Sequence, residues 1–155
     1  MNLYVEASLH QLKVAVQSVV KMMDQLTDSE LDISPIANKR SLRELLVHLS
    51  MICMADRRIV EGASEEEMRV FYKEHEPHTL QRAKEVALAG LHQLEYLYKG
   101  YSEVELMEKT TSYWGVSYSR YEWLVEMVGH VYHHRAQLHM MMTEHVREPK
   151  VILFE

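Results

Sequence analysis

The sequence predicts an all-α fold, a four-helix bundle with one crossover connection and a short irregular or hairpin segment before the last helix. Two observations carry that prediction. Apolar residues recur at alternating spacings of four and three along long segments, as they do where a helix buries one stripe. Helix breakers are few, five Gly and three Pro, and Pro35, Pro77, Pro149, Gly62, Gly100 and Gly115 all fall between those segments. A length of 155 residues suits one domain spanning 1–155. With 47% hydrophobic and 26% charged residues, disordered and collagen-like classes are excluded.

The first helix is read from Val5, Leu9, Leu12, Val16, Val19, Met23 and Leu26, the seam of a helix packed on other helices. The second opens at Ser41 and carries Leu45, His48, Ile52, Ala55 and Ile59 on one stripe, so a histidine points inward. An acidic connection follows (Ser64, Glu65, Glu66, Glu67), too long for a tight turn between bundle neighbours, and it predicts the crossover. The third helix repeats Leu80, Ala83, Ala87, Leu91, Leu94 and Tyr98. Tyr113 to Tyr118 then places β-prone residues around Gly115, which reads as a turn or short hairpin. The fourth helix aligns Trp123, Met127, His130, His134, Gln137 and Met141, so two more histidines point inward. Ser/Thr-x-x-Glu capping boxes stand at Thr27/Glu30, Ser41/Glu44, Ser64/Glu67, Ser102/Glu105 and Ser119/Glu122. The apolar tail Val151 to Phe154 is suited to dock on the bundle or to pair with another chain.

Seventeen Lys+Arg against 23 Asp+Glu leave a formal charge of −6, without the cationic surplus that nucleic-acid binding needs. The longest apolar stretch, Leu45 to Ala55, contains His48 and falls far short of the ~20 residues of a membrane span. Cys53 is the single cysteine, and the first residues lack a basic stretch followed by an apolar one, so a cytoplasmic protein is expected. Cys53 reads as a small buried hydrophobe, Arg135 as a partner in a structural ion pair, and Glu126 as a surface acid. Trp123 and Met141 are candidates to wall a pocket.

Ten histidines are many for this length, and five of them (His130, His133, His134, His139, His145) crowd the last helix. Random placement at this frequency gives roughly 0.6 pairs at i,i+4 spacing, so His130/His134 is weak evidence by count alone. Phase adds weight, because both lie on the apolar stripe. Two imidazoles in an apolar core need partners; a shared divalent cation satisfies both and accepts a third ligand, for which His48 is the inward histidine available. Three neutral imidazoles leave the cation its full charge and at least one open position, as catalytic sites do. Hydrogen bonds to tyrosines and backbone carbonyls would also satisfy such imidazoles, and the pattern alone accommodates both readings. Carboxylate-bridged di-iron sites need Glu-x-x-His pairs, which the chain lacks, and it has neither a haem-attachment motif nor a Gly-rich phosphate loop.

The run His130-Val-Tyr-His-His-Arg-Ala-Gln-Leu138, with Leu-Leu-Val-His48-Leu behind Asn-Lys-Arg-Ser41-Leu-Arg-Glu-Leu, resembles the DinB/YfiT-like superfamily of metal-binding four-helix bundles. The resemblance spans nearly the whole chain and departs from the His-His-Arg-Gly-Gln signature at Ala136. It implies that His48, His130 and His134 are metal ligands and that His133 is not. It further implies a divalent ion, zinc or nickel foremost, and thiol-dependent transfer between a low-molecular-weight thiol and a small electrophile. A hydrolase using metal-bound water and a non-catalytic metal-binding module are the alternatives. A small-molecule substrate and a homodimer are the expected partners, with no nucleic acid and no membrane.

Overall fold

The computed structural model describes residues 2–154. Six helices and one hairpin follow in order: α1 (Leu3–Met23), α2 (Leu42–Val60), α3 (Glu65–His75), α4 (Leu80–Gly100), α5 (Glu103–Met107), β1 (Lys109–Thr111), β2 (Ser117–Ser119) and α6 (Arg120–His145). The long helices α1, α2, α4 and α6 form the bundle, each packing on two others: α1 on α4 and α6, and α2 on α4 and α6. Side-chain pairs give the directions. Ser8 meets Tyr121 and Ser18 meets Arg135, so α1 and α6 are parallel. His48 packs on His134, and Asp56 bonds His130, so α2 and α6 are antiparallel. Gly90 lies against Met54, and Arg57 bonds Gln93, so α2 and α4 are parallel.

Parallel neighbours cannot be joined by a tight turn, and residues 61–79 make the expected crossover. The acidic run of that connection is itself helical. Ser64 and Glu67 form a reciprocal capping box that starts α3, which covers α2 and α4 with Met68 and Phe71. The boxes at Ser41/Glu44 and Ser102/Glu105 open α2 and α5, and the one at Thr27/Glu30 opens a single 3₁₀ turn, Asp28–Glu30. At Ser119 only half the box forms: its hydroxyl accepts the Glu122 N–H, while Ser119 itself ends β2 opposite Lys109.

The hairpin pairs Lys109 with Ser119, Thr110 with Tyr118 and Thr111 with Ser117. Its turn is closed by the Ser112 N–H to the Val116 carbonyl at 2.9 Å, and Gly115 supplies the positive φ of +91°. Trp123 is not a pocket wall: it packs under the hairpin against Tyr118 and Trp114, donating its indole N–H to the Thr110 carbonyl. The tail docks on its own bundle, where Val151 meets the core and Leu153 offers its carbonyl to Arg135 at 2.7 Å. Arg135 is therefore not in an ion pair among the described residues. Buried to 4% exposure, it bonds Ser18 Oγ and lies over the rings of Tyr132 and Phe154. Cys53 is buried, and burial pushes its thiol up to about 12, as an inert core residue requires.

Candidate metal centre

Helix α6 presents His130 and His134 one above the other, and the antiparallel α2 brings His48 against both. One ring nitrogen from each lies within 4.8 Å of the other two. His48 Nε2 and His130 Nε2 are 3.1 Å apart. With metal–nitrogen bonds of about 2.0–2.1 Å, two ligand nitrogens are roughly 2.9 Å apart at a right angle and roughly 3.4 Å apart at the tetrahedral angle. The observed separation falls between these, so the residues fit a divalent ion.

Hydrogen bonds at the opposite ring atoms set the tautomers. His130 Nδ1–H donates to Asp56 Oδ2 at 3.2 Å, and His134 Nδ1–H donates to Gln137 Oε1 at 2.7 Å. The Gln137 Nε2 also lies 3.2 Å from His133 Nε2, so one amide links the two neighbouring rings. With Nδ1 engaged in this way, the neutral form of His130 turns a bare Nε2 lone pair toward His48, and His130 and His134 each have the outer partner that metal-ligating histidines typically use. Burial, helped by Arg40 and the neighbouring imidazoles, holds the His48 pKa down at about 3, so it is neutral. Burial also lowers His134, while the hydrogen bond to Asp56 raises His130.

Asp56 and Gln137, the hydrogen-bond partners of His130 and His134, were not singled out from the sequence. Gln137 was already on the inward stripe of the last helix. Asp56 lies two turns beyond His48, on the α2 face that carries Ile52 and Ala55, and an acid at that spacing was the available signal. Glu126 is exposed as expected, yet its carboxylate is within 4.8 Å of the ligating atoms of Asp56 and His130. Desolvation and the Asp56 charge raise its pKa.

A cavity of about 850 Å³ opens beside the cluster, with His134, His133 and Gln137 on one wall. Leu45, Ile36, Met140 and the expected Met141 give it apolar surface, and Lys39, Arg40 and Glu144 give it charge. A smaller cavity of about 320 Å³ reaches His48 from the side of Tyr72 and Arg40.

Fold and site together define an all-α bundle carrying a three-histidine cluster able to hold a divalent ion. The sequence profile of the DinB superfamily matches residues 11–138, and the chain belongs to that superfamily. Its structure is similar to the crystal structure of a protein described as a member of the DinB family from Exiguobacterium sibiricum 255-15. The TM-score is 0.88 with 28% identity, over 99% of each chain. No curated protein matches the chain. Among the described residues, no helix is long and apolar enough to cross a membrane.

Proposed function

We propose that the chain is a metal-dependent thiol S-transferase acting on small electrophiles, with His48, His130 and His134 holding one zinc or nickel ion. The observation that carries this reading is the convergence of three imidazoles beside a cavity of about 850 Å³. That volume lies within the range of small-molecule sites and has room for a small thiol and its electrophile together. A divalent ion held by neutral ligands supplies the positive charge that favours a thiolate at neutral pH.

The chain's own residues supply the rest. Asp56 and Gln137 hold two imidazoles in the tautomer that faces inward, and Ile36, Met140 and Met141 offer apolar surface to the body of a substrate. In the reaction the sulfur–carbon bond forms, the leaving group departs with its electron pair, and the thiol proton passes to solvent. We also propose a homodimer, supported by exposed Leu3, Tyr4, Val104 and Met107.

Zinc- or nickel-loaded protein should be incubated with a panel of low-molecular-weight thiols and a chromogenic electrophile, beside ester and amide substrates. Turnover that needs the thiol and disappears in His134→Ala is the expected result. Ester or amide cleavage without thiol, or stoichiometric metal with no turnover of any kind, would overturn it.

A further inference from the structure

The loop before α2 presents an unmatched cation to the histidine cluster. Asn38 has a left-handed backbone (φ 62°), and the Lys39 N–H closes a turn onto the Ile36 carbonyl at 3.2 Å. Asparagine tolerates that conformation better than most residues, and the reversal leaves Lys39 and Arg40 on the rim of the large cavity. Arg40 lines both the cavity that meets His134 and the smaller one that reaches His48. Its charge bears on His48, His130 and His134 alike.

Nearby arginines are committed elsewhere. Arg43 bonds Asp32 at 3.0 Å and Arg57 bonds Glu61 at 3.2 Å. Arg40, by contrast, makes no hydrogen bond or ion pair among the described residues. Glu44, the closest acid in sequence, accepts from the Ser41 N–H and hydroxyl instead. A guanidinium offers a planar fork of donors that matches a carboxylate, and a concave, partly apolar wall beside it strengthens that attraction over the value at an open surface.

Resting on the reading of the cluster as a reaction site, we propose that the cavity takes a carboxylate-bearing small molecule. Its acid group pairs with Arg40, assisted by Lys39. Its apolar body lies along Ile36, Met140 and Met141, and its reacting end is directed to His134. One acid and one apolar body would orient the molecule, because the two walls differ in character. Binding of the acid needs the guanidinium and does not need the metal, which separates this claim from the previous one.

Hexanoate and its uncharged isostere hexanamide are suitable probes, titrated calorimetrically into metal-free and zinc-loaded protein. Wild type should bind hexanoate at least about tenfold more tightly than hexanamide, a difference typical of a charge-assisted pair. Arg40→Gln should abolish that preference while leaving hexanamide binding and zinc content unchanged; Arg40→Lys should restore part of it, and Lys39→Gln should reduce it less. Equal binding of the two probes by wild type, or hexanoate binding by Arg40→Gln at wild-type strength, would overturn the proposal. In particular, a carboxylate that simply ligates zinc would bind Arg40→Gln undiminished. Failure of wild type to take up zinc would count against the metal reading alone, and the metal-free titrations would still decide the role of Arg40.

Discussion

Substituting Asp56 separates the charge that acts on His130 from the hydrogen bond that orients it. The Asp56 side chain is only 14% exposed, and its Oδ2 accepts from His130 Nδ1–H at 3.2 Å, so solvent screens the pair weakly. Outer partners of this kind change metal affinity by about 10–100-fold, or about 1.4–2.8 kcal/mol. Asp56→Asn keeps an oxygen to accept the bond and removes the charge, so a loss of about tenfold is expected. Asp56→Ala removes both and leaves a half-buried N–H unpaired, which moves the loss toward about a hundredfold. Protons report on the same pair. Nδ1 of His130 already carries a hydrogen, so acidification protonates Nε2, the atom facing His48. Asp56 raises the His130 pKa above its ordinary value, so metal affinity should decline as pH falls through that raised value. Asp56→Asn should move the decline to lower pH. Competition for zinc against a chromophoric chelator, from about pH 8 to about pH 5.5, reads both effects across the histidine range. Affinities within about twofold of wild type for both variants, together with an unmoved pH midpoint, would refute the reasoning.

Gly90→Ala places a Cβ 2.8 Å from Met54 Cγ and 3.2 Å from Cys53 Cβ and the Met54 backbone nitrogen. The overlap should outweigh the helix-propensity gain of about 1 kcal/mol and lower the urea midpoint by about 1–2 kcal/mol of stability; a raised midpoint would show that α2 and α4 can separate. Ser41→Ala should cost about 1 kcal/mol, read from the same titration, because it removes the hydroxyl that accepts the Glu44 N–H at the start of α2. In metal-free protein, neutral His48, with its pKa held at about 3, adds stability present above about pH 6.5 and lost as pH falls toward 3. His130 acts oppositely: its raised pKa adds stability that is full below about pH 6.5 and lost as pH rises through the raised value. Urea midpoints should therefore fall less steeply with acid in His48→Gln than in wild type, and parallel slopes would contradict this. Light scattering should return twice the chain mass, and the mass of one chain across micromolar concentrations would reject the dimer.

The four long helices were legible because each buries a stripe long enough to repeat, as Val5 to Met23 does in α1. The short helices were not, since α3 buries only Met68 and Phe71 and α5 only Leu106, too few residues to show a period. Their capping boxes were nevertheless in plain view, and the charges of Glu65 to Glu67 that suggested a connection are those that suit a helix N-terminus. The phase of His48, His130 and His134 brought the three imidazoles into one expected cluster, and the structure places them together. Asp56 was harder to find, because an acid on a helix face reads as solvated until the antiparallel pairing of α2 with α6 sets it opposite His130. Trp123 failed as a pocket wall for a matching reason. Seven residues before His130, it lies roughly 10 Å down the helix axis, at the hairpin end. Of the partners of Arg135 only Tyr132 is local; the Ser18 hydroxyl and the docked tail come from distant parts of the chain.

The central claim is that His48, His130 and His134 hold one metal ion per chain, and elemental analysis of purified single variants tests it most directly. His48→Ala, His130→Ala and His134→Ala should each lose tightly held metal, because two imidazoles cannot replace three. His133→Ala should retain it: that ring is rotated by about 100° from His134 along the helix and meets the cluster from the side, edge-on to the His134 ring and bonded to Gln137. Full occupancy in all three ligand variants, or loss confined to His133→Ala, would contradict the account.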